Sequence, residues 1–293
     1  MAVQYGSFNV DERYKASLLP NLFYKTWIMP GITCQDVQSD NNGGWFWHKL
    51  ATTAIDGPGT PGRDFTDEAT ADTLVQAVYN NNYQKSKKIY GVQAAAVAFN
   101  VAEAQLAIAT QEVAESKNMS GLACLIKEGT AAANTDDVTA DNFQTVVLAV
   151  RKEVVKAKAT ATTVLCSPDF FAAMLEFAGS KYIPSTNEKI LAAAAGGQVG
   201  EYLGMLWIEC NALSTTGDVK YYDYAGTLQT VANVDLAKVD FIMYDYNAFG
   251  TGDNLTAARI VDSENFVGSK AQVEDNVAFR VLNPTAVRVK SHA

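Results

Sequence analysis

Side chains that could carry acid–base or nucleophilic chemistry are few in this chain. Two histidines occur, His48 in an aromatic stretch and His292 next to the C-terminus. A histidine-based site would depend on His48 alone. A nucleophile at Cys166 would need a neighbouring base, and the sequence suggests none. We therefore interpret these side chains as structural.

The cysteines also lack the spacing of a metal or redox site. Cys34, Cys124, Cys166 and Cys210 lie far apart, and no CxxC pair occurs. The sequence therefore predicts neither a zinc site nor a redox motif. Cys124 and Cys166 stand in apolar surroundings, where a small buried hydrophobe is expected. Reduced thiols fit a cytosolic setting.

Two polar patterns could be mistaken for binding motifs. The glycines of residues 196–204 superficially resemble a dinucleotide fingerprint, but their spacing is wrong and they precede a strand. We interpret that segment as a tight loop joining a helix to a strand. The acidic candidates are scattered over caps and strand ends: Asp136, Asp137, Asp169, Asp240 and Asp245, with Asp253 and Asn254 in a glycine-rich loop. The sequence thus predicts no catalytic residue, cofactor or metal site.

Composition excludes several classes of protein. The chain has 293 residues, 48% of them hydrophobic and 19% charged, which is typical of a folded protein of one large or two modest domains. The net charge of −9 argues against a dedicated nucleic-acid binder. No apolar run approaches about 18 residues, so a membrane span is rejected. The first residues show no basic leader or apolar stretch, which argues against a signal peptide.

The first 40 residues predict an extended arm. Apolar bursts are broken by prolines and show no sustained period. Such a segment cannot bury Phe23 and Trp27 by itself and needs another surface. Trp45 and Trp47 then begin a β-type stretch after the turn signal at residues 41–44.

A polar excursion follows the arm. Strand-like residues 45–50 and 74–90 predict the limbs of a long β-hairpin whose glycine- and proline-rich tip, residues 57–64, centres near Pro58. A connection this long needs a function. The cluster Lys85, Lys87 and Lys88 predicts a solvated or subunit-facing strand edge, where lysines also block unwanted pairing.

A long alanine-rich helix comes next. From about Ala94 to Ser116 there is no Gly or Pro, which predicts a rod of about 23 residues, or roughly 35 Å. Helical character resumes after Gly121 and ends at Gly129. The predicted apolar stripe consists of Val97, Val101, Ala104 and Ile108. A polar arm joined to a stiff rod suits reaching over a neighbouring copy of the chain.

Residues beyond Thr135 alternate between helix and strand, which predicts an α+β domain. An amphipathic helix buries Phe143, Val146, Val147, Val150 and Val154 and is capped around Thr139 and Asp141. Ser167 and Pro168 start a second helix. The predicted strands are residues 162–166, 203–209, 219–224, 228–231 and 239–246. Residues 276–290 alternate as two strands divided by Pro284, and we expect them to pack beside the rod helix.

This order of arm, hairpin excursion, rod helix, α+β domain and returning strands resembles the major capsid proteins of tailed bacteriophages. The matching tracts are residues 80–93, 164–169, 196–204, 207–211 and 239–244. The resemblance implies an α+β fold of the Hong Kong 97 type. Its parts would be an N-terminal arm (1–42), an extended β-hairpin loop (43–92), a peripheral domain with a long spine helix (93–134 and 262–293) and an axial α+β domain (135–261).

The resemblance implies a structural subunit without catalysis. Pentamers and hexamers of it would form an icosahedral shell around double-stranded DNA, assembled in the host cytoplasm and present in the virion. Its partners would be many copies of itself and a portal. Because Met1 leads directly into the arm, a separate scaffolding protein, or none, is expected. The negative charge fits a container that holds DNA without sequence-specific binding. The expected inter-subunit contacts are Phe23, Trp27, Trp45, Trp47, Pro58, Pro61, Arg63, Lys85, Lys87 and Lys88.

Other interpretations stay open from the sequence. An encapsulin-type nanocompartment shares this fold and loads protein cargo. A cytosolic enzyme with an α+β catalytic domain is the alternative from another class. Some capsid proteins of this type also cross-link lysine to asparagine between subunits. Lys85, Lys87 or Lys88 with Asn283 are conceivable partners, although no activating carboxylate is identified.

Overall fold

The computed structural model describes residues 38–39, 44–50, 72–92, 100–139, 141–178, 183–184, 199–214 and 217–292. For residues 38–39, 44–50, 72–74, 178, 183–184, 199, 214 and 254–256 it describes the backbone alone. Within these ranges helices and strands mix along the chain, which confirms the α+β class.

A three-stranded antiparallel sheet forms one part of the molecule. Its strands lie in the order β13 (Phe249–Asp262), β14 (Gly268–Val281) and β4 (Asn81–Tyr90). β4 is thus an edge strand of this sheet, as the lysine cluster predicts. The interpretation of Asp253 as a loop residue was wrong: it lies within β13, where the register with β14 shifts between Asp253 and Leu255. A bulge there accommodates the local glycines without ending the strand.

A seven-stranded mixed sheet forms the second part. Its order is β5 (Thr130–Ala131), β15 (Val287–Ser291), β12 (Val239–Tyr244), β6 (Thr163–Cys166), β9 (Met205–Glu209), β8 (Val199–Tyr202) and β7 (Ile183–Pro184). β6 runs parallel to β9 and β15 runs parallel to β5, whereas the other pairs are antiparallel. The strand predictions for this region are confirmed to within two or three residues.

The longest helix, α1, spans Val101–Glu128, or 28 residues and about 42 Å. Asn100 caps it, because its Oδ1 accepts the Glu103 N–H at 3.3 Å. The predicted rod from Ala94 to Ser116 was wrong at its C-terminal end, which lies at Glu128, and in its continuity, because Asn100 is a cap; residues 94–99 lie outside the described residues. α1 continues through Gly121 because the residues around that glycine are buried, and burial outweighs the roughly 1 kcal/mol that glycine costs in a helix.

α1 packs on both sheets in turn. In its first half Val101, Ala109 and Val113 are buried against β4 and β14. The predicted stripe was wrong in detail, since Ala104 and Ile108 are only partly buried and Val97 lies outside the described residues. In its second half every residue from Asn118 to Leu125 is buried, and the apolar ones join the core of the seven-stranded sheet.

Helices α2 (Phe143–Lys156) and α3 (Pro168–Ala178) cover the other face of that sheet. The five predicted core residues of α2 are the five that are buried, which confirms its amphipathic pattern. Alternation along β12 divides the two cores: Phe241 and Met243 face α2 and α3, while Ile242 and Tyr244 belong to the core that contains α1. A short helix, α4 (Asn233–Ala237), adds Leu236 to the α1 core.

Local signals at the starts of α2 and α3 behave as predicted. The Thr139 Oγ1 accepts the Asn142 N–H at 3.4 Å, and the Asn142 Oδ1 accepts the Thr139 N–H at 2.8 Å. This reciprocal pair is the arrangement of a capping box. The Ser167 Oγ accepts the Phe170 N–H at 3.3 Å, and Pro168 is the first residue of α3.

The base of the predicted hairpin is confirmed, but its second limb consists of two strands that belong to different sheets. β2 (Gly44–Leu50) pairs with β3 (Asp72–Val78) from Gly44↔Val78 to Leu50↔Asp72, and β1 (Gln38–Ser39) pairs with β2. The prediction of one limb from 74 to 90 was wrong, because the chain leaves this sheet at Tyr79–Asn80 and β4 pairs with β14 instead. The predicted tip, residues 57–64, lies outside the described residues.

The returning C-terminal strands separate. β14 packs against α1 as expected, but β15 joins the seven-stranded sheet between β5 and β12.

The glycine-rich segment also differs from expectation. Residues 199–209 form the β8–β9 hairpin, whose turn places Leu203 at φ 55° and Gly204 at φ 72°, as a two-residue type I′ turn requires. The four domain boundaries stay predictions.

The hairpin of β10 (Val219–Tyr222) and β11 (Leu228–Val231) packs beside α1. None of the helices described here has the length and apolarity needed to cross a membrane.

Phe143 is a direct test of the α2 and α3 core. It is fully buried, and its ring lies 5.0 Å from that of Phe170 and 6.0 Å from that of Trp207. We expect Phe143→Ala to lower the free energy of unfolding by about 3–5 kcal/mol through lost burial and a cavity. Denaturant unfolding of the subunit, followed by far-UV circular dichroism, measures this change.

Leu148→Ala on the same helix is the control, because Leu148 is 41% exposed and lies outside the buried stripe of the helix. We expect that variant to change the free energy of unfolding by less than about 0.5 kcal/mol. Equal losses in the two variants would contradict the assigned orientation of α2.

Candidate functional site

The lysine cluster of β4 contacts α1 of its own chain. The Lys85 Nζ lies 3.1 Å from the Glu112 Oε2, and the Lys87 Nζ lies 2.7 Å from the Glu112 Oε1. Lys88 is exposed on the other face of the strand and forms no ion pair with a described residue. Two of the three lysines predicted as inter-subunit contacts therefore hold the edge strand to the helix.

Glu112 is held in its charged form by this arrangement. Burial pushes its pKa upward, but hydrogen bonds and charges from Lys87 and Lys85 outweigh that effect and place the pKa below the ordinary value of 4.5. The ion pair is therefore complete at neutral pH, and both lysines have their charge compensated within the chain.

A second ion-pair cluster joins α1 to the hairpin of β13 and β14. The Lys117 Nζ lies 2.6 Å from the Asp253 Oδ1 and 3.4 Å from the Asp275 Oδ2. Sequence reasoning missed this cluster because Asp253 was placed in a loop. The alternation of β14 was the available signal, since it puts Asp275 on the helix-facing side with Val273 and Val277.

An asparagine fixes the base of the hairpin excursion. The Asn81 Nδ2 donates to the Tyr222 carbonyl at 2.9 Å, and the Asn81 Oδ1 accepts the Tyr222 N–H at 2.8 Å. The buried amide thereby substitutes for a strand neighbour of β10. The chain is anchored where β3 ends and β4 begins.

The residues with possible chemistry have structural roles in the described part of the chain. The Asp240 Oδ2 pairs with the Lys290 Nζ at 3.0 Å, and the Asp240 Oδ1 lies 2.9 Å from the His292 Nδ1. Lys290 is fully buried, and its Nζ also donates to the carbonyls of Asp136 at 2.8 Å and Ser291 at 3.0 Å. Its three donors are thus satisfied, as a buried ammonium requires. The cluster joins the end of β15 to β12.

Cysteine and carboxylate chemistry finds no support in the described residues. Cys124, Cys166 and Cys210 are buried and unbridged, and burial raises the pKa of Cys124 and Cys166, so these thiols are poor nucleophiles. Asp245 is a capping residue that accepts the N–H groups of Asn247 at 3.0 Å and Thr160 at 2.8 Å. No cluster of three or more metal-ligating side chains occurs in this part of the chain.

Two cavities are open to solvent. One of about 340 Å³ lies where β6 and β12 meet the start of α3 and is lined by Ser167, Asp169, Phe170 and His292 among others. The Ser167 hydroxyl accepts the Phe170 N–H as the cap of α3. A shallower one of about 500 Å³ lies on the outer face of the three-stranded sheet, where Gln84 and Glu274 form a hydrogen bond of 2.7 Å. Asp240 also lines the first cavity, but no hydrogen bond joins the Ser167 hydroxyl to His292, whose Nδ1 lies against Asp240.

The remaining predicted contact residues lie on the arm and the excursion. Phe23, Trp27, Pro58, Pro61 and Arg63 lie outside the described residues. Trp45 and Trp47 lie in β2, where their backbones are in register with Ala77 and Val75. Their role between subunits stays a prediction.

Comparisons with known proteins identify the fold. No protein-family model matches the chain, and no curated protein sequence matches it. Solved phage structures do match, with TM-scores of 0.65 for a structure of Mycobacterium phage Che8, 0.66 for a capsid of Cyanophage P-SCSP1u and 0.64 for the mature capsid of bacteriophage PhiM1. Their identities to this chain are 15%, 11% and 14%. The matches cover 98%, 96% and 96% of this chain and 98%, 92% and 91% of the other chains. The chain therefore has the fold of these phage structures, as the order of its elements predicted.

The pairing of Glu112 with two lysines makes a pH-dependent prediction. Because its pKa is lowered on folding, the stabilisation is complete above about pH 4.5 and is lost as the pH falls through the lower folded value. We expect Glu112→Gln to lower the free energy of unfolding by about 0.5–1 kcal/mol at pH 7, with the difference shrinking toward zero in acid.

Urea unfolding at several pH values measures this difference. Glu176→Gln is the control, because Glu176 is exposed on α3. A Glu112→Gln deficit that stayed constant down to acid pH would show that the carboxylate charge is not its source.

Proposed function

We propose that this chain is a major capsid protein, the structural subunit that assembles as pentamers and hexamers into the icosahedral shell of a tailed phage. The observation that carries the proposal is the match to phage structures, two of them described as capsids, over more than nine-tenths of both chains. The match covers almost the whole length of the chain, and the arm and excursion predicted from the sequence would extend from its compact cores. Extensions of that kind are what a shell subunit needs to reach its neighbours.

The charges and hydrogen bonds within the subunit support this function. Lys117 and Glu112 join α1 to β13, β14 and β4, so the helix and sheet form one stiff body. Asn81 fixes the chain where the β2–β3 hairpin leaves that body. A rigid base directs the hairpin toward a neighbouring subunit, and the arm residues Phe23 and Trp27 would be buried there.

The partners of such a subunit follow from the same role. The shell would enclose double-stranded DNA without sequence-specific binding, and the net charge of −9 would limit adhesion of the packaged duplex. We infer a portal and a separate scaffolding protein as further partners, with assembly in the host cytoplasm and final location in the virion. An enzymatic role gains no support from the described cavities or buried thiols.

An encapsulin-type compartment would share this architecture. The three neighbours described above come from phages, which favours the phage shell. Genome content of purified particles distinguishes the two: a phage shell packages DNA, whereas an encapsulin encloses a protein cargo.

Assembly of the purified chain tests the proposal. We expect the full chain, alone or with its scaffolding protein, to form closed shells in negative-stain electron micrographs and to elute as capsomers or larger particles in size-exclusion chromatography. The physical reason is that the arm and excursion bury their apolar residues against other copies. A stable compact monomer at high concentration under both conditions would overturn the proposal.

The excursion has its own test. We expect deletion of Gly57 to Arg63 to leave the subunit folded and to impair shell formation, because the hairpin tip would no longer reach the neighbouring subunit. Circular dichroism reports folding, and electron microscopy reports assembly. Replacement of the same residues by glycine and serine is the matched control for length. Normal shells from the deletion variant would refute the role assigned to the tip.

A further inference from the structure

The outer face of α2 carries apolar residues that its own chain leaves exposed. Leu148 is 41% exposed and Val155 is 51% exposed. They lie seven residues apart, so they share one side of the helix, about 100° around its axis from Val147 and Val154 of the buried stripe. Folding of the subunit therefore does not account for them.

Positive charges surround this apolar pair. Arg151, Lys152, Lys156 and Lys158 are all exposed, and none forms an ion pair with a described acidic residue. Glu153, the acidic residue among them, pairs with Arg288 at 3.2 Å. The helix dipole favours basic residues only in the last turn, so it does not explain Arg151 or Lys152. In a chain of net charge −9 this concentration of positive charge is distinctive.

We call the face formed by Leu148, Arg151, Lys152 and Val155 the basic stripe. It lies toward the C-terminal end of α2, where the chain continues to Thr160, held by Asp245. An amphiphilic face with four cationic neighbours fits an acidic surface that offers an apolar recess.

Such a surface lies at the other end of the same helix layer. Asp136, Asp137 and Asp141 precede α2, and Asp169 lies in the first turn of α3; all four are exposed. The Lys290 Nζ bonded to the Asp136 carbonyl places this loop at the end of the sheet where β12 begins. We call these four residues the acidic end. Asp240 lies beside it but is neutralised by Lys290 and lies close to His292.

The acidic end also contains a recess of mixed polarity. The cavity of about 340 Å³ has the apolar side chains of Val138, Phe170 and Leu213 in its wall, beside Asp169 and the polar groups of Ser167, Asp240 and His292. Apolar side chains therefore lie beside acidic residues at this end, whereas they lie beside basic residues in the basic stripe. The two surfaces are complementary in both charge and polarity, and they lie at opposite ends of α2.

We propose that the basic stripe of one subunit docks on the acidic end of the next subunit, with Leu148 and Val155 directed to the recess and Arg151 and Lys152 toward Asp137 and Asp169. This inference rests on the proposed function. Because the two surfaces differ, the contact is head-to-tail, and a head-to-tail contact closes into rings when the rotation between copies is suitable. Pentamers and hexamers are rings of this kind. Charge at the rim directs the pairing, and the apolar centre supplies the burial.

Charge reversal tests the contact. We expect Arg151→Glu with Lys152→Glu to raise the subunit concentration needed for half-maximal assembly by about tenfold or more, and Asp137→Lys with Asp169→Lys to do the same. Combining all four substitutions in one chain exchanges the two signs. We expect that chain to assemble within about threefold of the wild-type concentration. Light scattering measures assembly, and electron microscopy identifies the particles.

Lys127→Glu with Lys220→Glu is the matched control, since both lysines are exposed, neither belongs to α2 and the change in net charge is the same. We expect this control to assemble like the wild type. Circular dichroism and thermal unfolding establish that each variant is folded, and the recovery in the fourfold variant separates a lost contact from a lost fold.

The outcomes distinguish this interface from the proposed function. A wild-type chain that forms no shell would overturn both. A wild-type chain that assembles while the Arg151→Glu, Lys152→Glu variant assembles equally well would overturn the interface alone. A folded fourfold variant that assembles no better than either pair would also overturn it.

Discussion

Burial of one continuous helix against two separate sheets is the constraint on which this structure depends. The first half of α1 packs on β4 and β14, and its second half enters the core of the seven-stranded sheet. A helix that breaks at Gly121 would uncouple the two sheets. The surrounding burial of Leu122 and Leu125 prevents this, because the apolar area they remove from water stabilises the helix by more than the glycine costs.

Ion pairs then fix the position of α1 on the strands against which it packs. Lys117 bridges Asp253 and Asp275, and Glu112 receives Lys85 and Lys87. Such partly buried pairs add little net free energy, but a wrong pairing would leave charges without partners. They therefore select one position of α1 on the sheet. The role proposed for the chain, which requires each copy to match identical neighbours, would depend on this single arrangement.

The features that folding of the chain leaves unexplained lie on the exterior of the molecule. In the described residues the thiols are buried, Lys290 has its donors satisfied, and no hydrogen bond joins Ser167 to His292 in the cavity that both line. Two exposed surfaces stand out. One is the pair Leu148 and Val155 with basic neighbours on α2, and the other is the recess with acidic neighbours at the opposite end of that helix. The interface proposed for these two surfaces would let one copy of the chain cover the exposed residues of the next.

The sequence by itself determined the elements whose signals are local. The period of α2, the Ser167 and Pro168 start of α3 and the burial of Cys124 and Cys166 could be predicted because neighbours along the chain supply them. The element order also identified the fold. Only the tertiary structure decided that β4 leaves the excursion for β14, that β15 enters the other sheet and that Lys85 and Lys87 bind Glu112. Strand partners and ion pairs join residues distant in sequence, and their geometry depends on packing that no local pattern encodes.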